Sequence, residues 1–371
     1  MLREKMARIG GLVRKEVRQM FRDPRMSRMM FISPIMQLMI FGYAVSTDVR
    51  HTPLYVVDHD HTQVSRQLVE ALTAGGYFKV VGRSDRAKDM ADALDHGSTT
   101  VGIQIPPHYA RELRDPDGAR VQILVDGTNS NVATVALGYA EQIVRTHALT
   151  SLDRRFEPPV DLRERAWFNP ALVSRNYNVP GVVGTIMLMM SLLLTSLAVV
   201  RERELGTLEQ LMVSPLTPGE LIAGKTIPFG LVAMLDLVII TAVALLWFRI
   251  PFLGQGPILL LAALLFLMSA LGLGLLISTV SHTQQEAFLS TFLLMLPLMM
   301  LSGFMFPVTS MSPLFQWLTL LNPLRHYLEI VRAVFLKGSG FDALWHQFAA
   351  LAAMGIGLLA FAASRFHKTV Q

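Results

Sequence analysis

The chain has 371 residues, 52% of them hydrophobic and only 16% charged, with a mean hydropathy of +0.42. An ordinary soluble enzyme is about a quarter charged, so this composition points to a membrane protein. The absence of cysteine excludes disulfides and thiolate metal sites. The net charge of +5 does not mark a nucleic-acid surface, because nine of the 33 basic residues crowd into residues 1–28, ahead of the first apolar run.

The first element is "LVRKEVRQMFRDPRM", whose spacing predicts an amphipathic helix within 1–28. Leu12, Val13, Val17, Met20 and Phe21 share one stripe, while Arg14, Lys15, Arg18 and Arg22 lie off it. Such a helix suits the headgroup layer, and Pro24 ends it. Residues 29–47 form the first predicted transmembrane helix, too long in its apolar core for a cleaved signal peptide.

Residues 48–178 change character. Runs at 53–58, 77–82, 99–105 and 120–126 read as strands, separated by helical stretches and followed by a longer helix over Asn129 to Phe156. Alternating strand and helix predicts a small α/β domain around a mixed sheet. His51, Asp58, His59, Asp60 and His61 have the composition of a metal group, but they straddle a strand end and read as solvated loop residues.

Apolar runs at 179–200, 226–248, 257–280, 287–306 and 342–364 are each long enough to cross a hydrocarbon core of about 30 Å. With the first they predict a polytopic α-helical membrane protein of six spans. Between the fifth and sixth, 307–338 is broken by Pro307, Pro313 and Pro323 into short amphipathic helices expected to dip into the outer leaflet. Short loops on the side of the termini carry fourteen basic residues and those opposite carry four (Arg249, Arg325, Arg332, Lys337). Both termini are therefore expected in the cytoplasm, with the α/β domain outside.

The stretch "GELIAGKT", Gly219 to Thr226, has the spelling of a phosphate-binding loop. Its context argues against that function. No strand precedes it, Thr217 and Glu220 have capping-box spacing with Pro218 between them, and the letters after Gly219 are helix formers. Backbone amides engaged in a helix cannot also encircle a phosphate. Lys225→Ala is accordingly expected to have little effect on ATP hydrolysis.

The cytoplasmic loop 201–225 carries more information. It is charged, then amphipathic, and too short to be a domain. A short helix at roughly 207–213 would present Leu208, Leu211 and Met212 on one face. The segment "RERELGTLEQLMVSPLTPGELIAGK" resembles the signature of ABC-2 type export permeases. "RKEVRQMFRDPR", the large loop after the first span, and "LNPLRHYLEIVRAVFLKG" are similar to that family too, and to its bacterial drug-efflux branch in particular.

The resemblance implies a permease chain of the bacterial inner membrane that pairs with a second, identical or paralogous. It implies two ABC ATPase subunits that hold ATP and Mg, with no cofactor on this chain. Coupling to them is implied for Glu202, Arg203, Glu204, Gly206, Thr207, Leu208, Glu209, Leu211, Met212 and Pro215. The plain alternative for Glu202 and Glu204 is a solvated charge run beside the headgroups. Residues 48–178 are expected in the periplasm, where they would dock an adaptor protein.

Ionisable residues inside a membrane are functional candidates. Asp236, deep in the third span, and Gln37 in the first are read as lining a transport path with Met187, Met299 and Phe304, whose soft side chains suit varied apolar cargo; for Asp236 a contact with a partner chain or a plain interhelical hydrogen bond is the alternative. Lipid-facing or packing roles are the plainer reading of the methionines and phenylalanine. The expected function is ATP-driven export of drug-like or lipid-like amphiphiles. The alternative is a membrane-anchored sensor or assembly factor that signals through 201–216.

Overall fold

The computed structural model describes residues 2–22, 24–44, 50–115, 118–151, 167–169, 173–206 and 217–369. The chain divides into two compact units, Met1–Ser46 with Ala166–Gln371, and Thr47–Arg165.

The inserted unit carries four strands, β1 (Thr52–Asp58), β2 (Phe78–Ser84), β3 (Val101–Ile105) and β4 (Gln122–Val125), in the order β2-β1-β3-β4. The first three are parallel and β4 runs antiparallel to β3. Helices α3 (Gln63–Ala74), α4 (Ala87–Asp95), α5 (Tyr109–Glu112) and α6 (Ser130–Ser151) complete it. Leu54, Val56, Val101 and Ile103 pack on Leu68 and Leu72 of α3 and Ala136 of α6. Side chains alternate across a strand, so Gly102, which lies against Met90 of α4, places α4 on the other face. Asp58 and Asp60 are occupied by backbone and hydroxyl donors from their own loop, α3 and α5. Asp58 accepts from the Asp60 and His61 amides and the Ser65 hydroxyl, and Asp60 from the Ala110 amide. Among the described residues no group of three or more His, Asp or Glu could hold a metal.

The other unit is helical. It comprises α1 (Leu2–Arg22), α2 (Pro24–Ala44), α7 (Ser174–Glu204), α8 (Pro218–Leu246), α9 (Gly256–Val280), α10 (Gln284–Met300), α11 (Pro313–Thr319), α12 (Pro323–Arg332) and α13 (Phe341–Thr369). Within α7, α8, α9 and α13 lie four segments long and apolar enough to cross a membrane; α2 contributes a shorter apolar stretch, Met30–Ala44. The 17 residues of α10 span about 25 Å.

Helix directions follow from the contacts. The Trp247 indole at the end of α8 donates to Tyr43 at the end of α2 at 3.0 Å, and Lys225 near the start of α8 lies by Glu16 of α1, the helix that leads into α2, so α2 and α8 run together. Ser196 and Thr291 share a hydrogen bond of 2.9 Å while Gln284 reaches Glu204, so α10 opposes α7. The hub is α7, buried almost all round from Val179 to Val200, as expected of a helix that is apolar on every side. Peripheral helices instead expose stripes at helical spacing: Ile32, Met36 and Ile40; Leu231, Leu235 and Val238; Leu289, Leu293 and Leu296. Water would penalise such stripes, whereas hydrocarbon would not.

Proline breaks 307–338 as its sequence suggests. Pro307 precedes a single 3-10 turn at Val308–Ser310, while Pro313 and Pro323 open α11 and α12. The two helices differ sharply. Leu314 and Trp317 of α11 are exposed, whereas Leu324, Tyr327, Leu328 and Val331 of α12 are buried against the bundle. Tyr327 stacks on Phe266 of α9 with ring centroids 4.3 Å apart.

Candidate functional site

At the end of the bundle where α1 lies, α8 starts with a full capping box. The Thr217 hydroxyl accepts from the Glu220 amide, and Glu220 accepts from the Thr217 amide at 2.8 Å, with Pro218 in the first turn. All eight letters of "GELIAGKT" therefore belong to helix, and their amides are committed to it. The lysine is nonetheless not idle. Lys225 is 3% exposed, its Nζ 3.8 Å from Glu16 of α1 and paired with Glu202 of α7. One buried cation is thus shared by two carboxylates from two other helices.

The same end fixes α1. Arg8 pairs with Glu220 at 3.1 Å, and Leu12 fills the space beside Gly224, where a methyl group would fall 2.3 Å from Leu12 Cδ2. The stripe expected to face headgroups is in part a docking face, with Leu12, Glu16 and Met20 buried and Phe21 turned outward. Glu16 is the residue the stripe should have revealed. An acid four residues from Leu12 and four from Met20 sits inside an apolar face and needs a partner.

Glu220 supplies a pH test. Its carboxyl is held below its ordinary 4.5, first by the Thr217 amide and, less strongly, by the Arg8 guanidinium. A carboxyl depressed in the folded state adds stability above its unfolded value and loses it as pH falls through the lowered pKa. Glu220→Gln is expected to lower the melting temperature at neutral pH, and the gap should narrow as pH falls below the ordinary carboxyl value and through the lowered one. A gap independent of pH would show that the charge is not used.

Each of the next charged residues holds a different element. Glu202 takes Lys225. Arg203 donates to the Ser281 carbonyl at the end of α9, at 2.7 Å. Glu204 accepts from the Gln284 amide at 2.7 Å and from its side chain, at the positive N-terminus of α10. A solvated charge run does not describe this geometry, although Glu204 is itself exposed. Gly206 then closes α7 with φ +69°, a left-handed conformation that suits glycine. Thr207, Leu208, Glu209, Leu211, Met212 and Pro215 lie outside the described residues.

The five residues read as a transport path are dispersed. Asp236 is buried on the interior face of α8 with Val232, Ala233 and Ile240, and its Oδ2 has no hydrogen-bond partner. Gln37 donates to Ser33 of its own helix. Met187 is buried in the main core, and Met299 and Phe304 pack at its margin. An apolar cleft of about 560 Å³ opens between α8, α9 and α13, lined by Ile227, Met234, Leu267 and Leu271 among others, and none of the five lines it.

The model for ABC-2 family transporter proteins matches residues 25–364. The chain belongs to the ABC-2 transporter family. The probable multidrug ABC transporter permease YbhR of Escherichia coli K12 is 31% identical over 341 residues, 92% of this chain and 93% of the relative. Its counterpart YbhS is 32% identical over 340 residues, 90% and 89% of the two chains. The inner membrane transport permease YhhJ is 30% identical over 367 residues, 96% of each. The ABC-2 match takes in Glu202, Glu220 and Lys225, whereas Glu16 and Arg8 are supplied by α1, ahead of residue 25.

Proposed function

We propose that this chain is the permease subunit of an ATP-driven exporter in a bacterial inner membrane, moving amphipathic drug-like or lipid-like molecules outward. In this reading six helices span the bilayer, α2, α7, α8, α9, α10 and α13. Both termini are cytoplasmic, and the inserted α/β unit is outside. Two such chains pair, and separate ATPase subunits dock on the segment that follows Glu204. The permease names of the relatives support the class.

The observation that carries the mechanism is the junction around Glu202, Arg203 and Glu204. A push on the following loop acts on α7 directly, and through these three side chains on α8 with α1, on α9 and on α10. Ionic and capping contacts of this kind act over a few ångströms, so one movement of the loop displaces several helices together. The geometry suits a lever better than a hinge.

The test is ATP hydrolysis by the purified chain in lipid, alone and with the ATPase subunit that co-purifies with it. Hydrolysis is expected only with the partner, and outward movement of a fluorescent amphiphile should require it. Hydrolysis by the chain alone would overturn the assignment.

A further inference from the structure

At the opposite end of α7, about 38 Å from the Glu202 junction at 1.5 Å per residue, lies a guanidinium with only one of its three nitrogens hydrogen-bonded. Arg332 ends α12, and its Nη1 donates to the Gly303 carbonyl at 3.0 Å. Its Cζ sits 3.9 Å from the centre of the Tyr177 ring. Its Nε and Nη2 are buried and have no hydrogen-bond partner. The acid one turn back does not serve them, because Glu329 is engaged by Arg325 at 3.3 Å and by Gln347 at 3.0 Å.

The unmatched pair is chemically specific. Nε and Nη2 form one edge of the planar guanidinium, and their N–H bonds point in parallel, the geometry that grips two oxygens of a phosphate or carboxylate. Two other features favour an anion here. Residues 307–340 carry Arg325, Arg332 and Lys337 against the single acid Glu329. The positive N-terminus of the 31-residue α7 begins at Ser174, one turn before Tyr177.

We propose that the Nε–Nη2 edge of Arg332 is a binding fork for one phosphate-type oxyanion, delivered beside Tyr177 and Gly181. Gly181 lets the guanidinium and the Phe304 ring lie close against α7. A Cβ there would lie 2.8 Å from the Phe304 ring and 3.2 Å from Nη2, so that room is filled as it stands and the anion enters only when the ring moves. Phe304 belongs to the turn at 301–306 rather than to a helix, so its ring can swing aside without unwinding one. Met305 and Phe306 of that turn are exposed and offer an apolar approach for the tail of an amphiphile. The oxyanion can come from a lipid headgroup or from free phosphate, and the two are separable.

The experiment uses the full chain in neutral detergent and follows its melting temperature. The probes are short-chain phosphatidic acid, the diacylglycerol with the same chains, and inorganic phosphate. Phosphatidic acid is expected to raise the melting temperature saturably while diacylglycerol does not. Arg332→Gln should shift half-saturation at least about tenfold, the effect of losing a charge-assisted pair. Arg332→Lys guards against misfolding; it keeps the charge and loses the fork, so it should fall between. A shift by phosphatidic acid alone assigns the lipid headgroup, and an equal shift by inorganic phosphate assigns the free anion. An Arg332→Gln protein that titrates like wild type overturns the site, as does a wild-type protein that responds equally to diacylglycerol or to nothing. None of these readouts involves ATP, so failure here leaves the exporter assignment standing, and failure of that assignment leaves the fork.

Discussion

Lys225→Met is expected to lower the stability of the purified chain by about 3–5 kcal/mol, as removing one partner of a buried ion pair does. The loss arises from what remains. Glu16 would be left buried and Glu202 half-buried near it, both negative, with the cation between them removed. The residue therefore matters for a reason unrelated to phosphate. Lys225→Ala was expected to leave ATP hydrolysis nearly unchanged, because the phosphate-loop spelling has no loop. The helix supports the premise, and the ion pairs of Lys225 add a structural role, so any loss in Lys225→Ala is expected to follow its stability rather than nucleotide binding.

Two further variants separate these effects. Adding Glu16→Gln and Glu202→Gln to Lys225→Met removes the stranded charges, and part of the lost stability should return in a multiple-mutant cycle. Lys225→Arg keeps the cation in a longer, planar group and should cost less than Lys225→Met. Binding of a fluorescent nucleotide should be absent in wild type and in every variant. A Lys225→Met protein that melts with wild type would mean that the triad does not form.

The contrast shows what sequence could and could not convey. The runs 53–58, 77–82 and 99–105 became β1, β2 and β3 within about two residues, because β-branched content and turn residues are local signals. The apolar runs found the membrane-scale helices but misjudged their ends. Helix α2 begins at Pro24 rather than 29, and α7 runs from Ser174 through Glu204 rather than over 179–200. Hydropathy marks where hydrocarbon contact would be tolerated, whereas a helix continues until a capping residue or a proline stops it. In the opposite sense α10 stops at Met300 although mostly apolar residues continue to 306, because the backbone leaves the helix at Leu301 and turns at Gly303, φ +78°.

The charged junction was less legible still. Glu16 and Lys225 stand more than two hundred positions apart, and nothing in local periodicity joins them. A hint existed in each place, an acid inside an apolar stripe and a lysine inside a helix entering the bundle. Only the docking of α1 on α8 makes them one feature. In the sequence Arg332 is one more basic residue of an external loop; that it ends a buried helix with two of its three guanidinium nitrogens unmatched follows only from the packing of α12 on α7.

Asp236→Leu is expected to separate stability from function. The carboxyl lies among Val232, Ala233 and Ile240 with one oxygen unpartnered, so a leucine, which has the same branched shape though greater bulk, removes a desolvation penalty of about 1–3 kcal/mol and should raise the melting temperature or leave it unchanged. Export, measured with the intact complex, should fall by about tenfold or more if the acid contacts cargo or the second permease chain, since a hydrogen bond to a charged group contributes about 1.5–3 kcal/mol. Asp236→Asn keeps the shape and a hydrogen-bonding amide but no charge, so it locates the requirement. Export at the wild-type level in Asp236→Asn would show that the charge is unused. If Asp236→Leu is instead the less stable protein, the acid serves to join helices, and the path must be sought elsewhere in the bundle. An Asp236→Leu protein that is more stable yet exports less would mean that the acid serves transport at a cost in folding free energy.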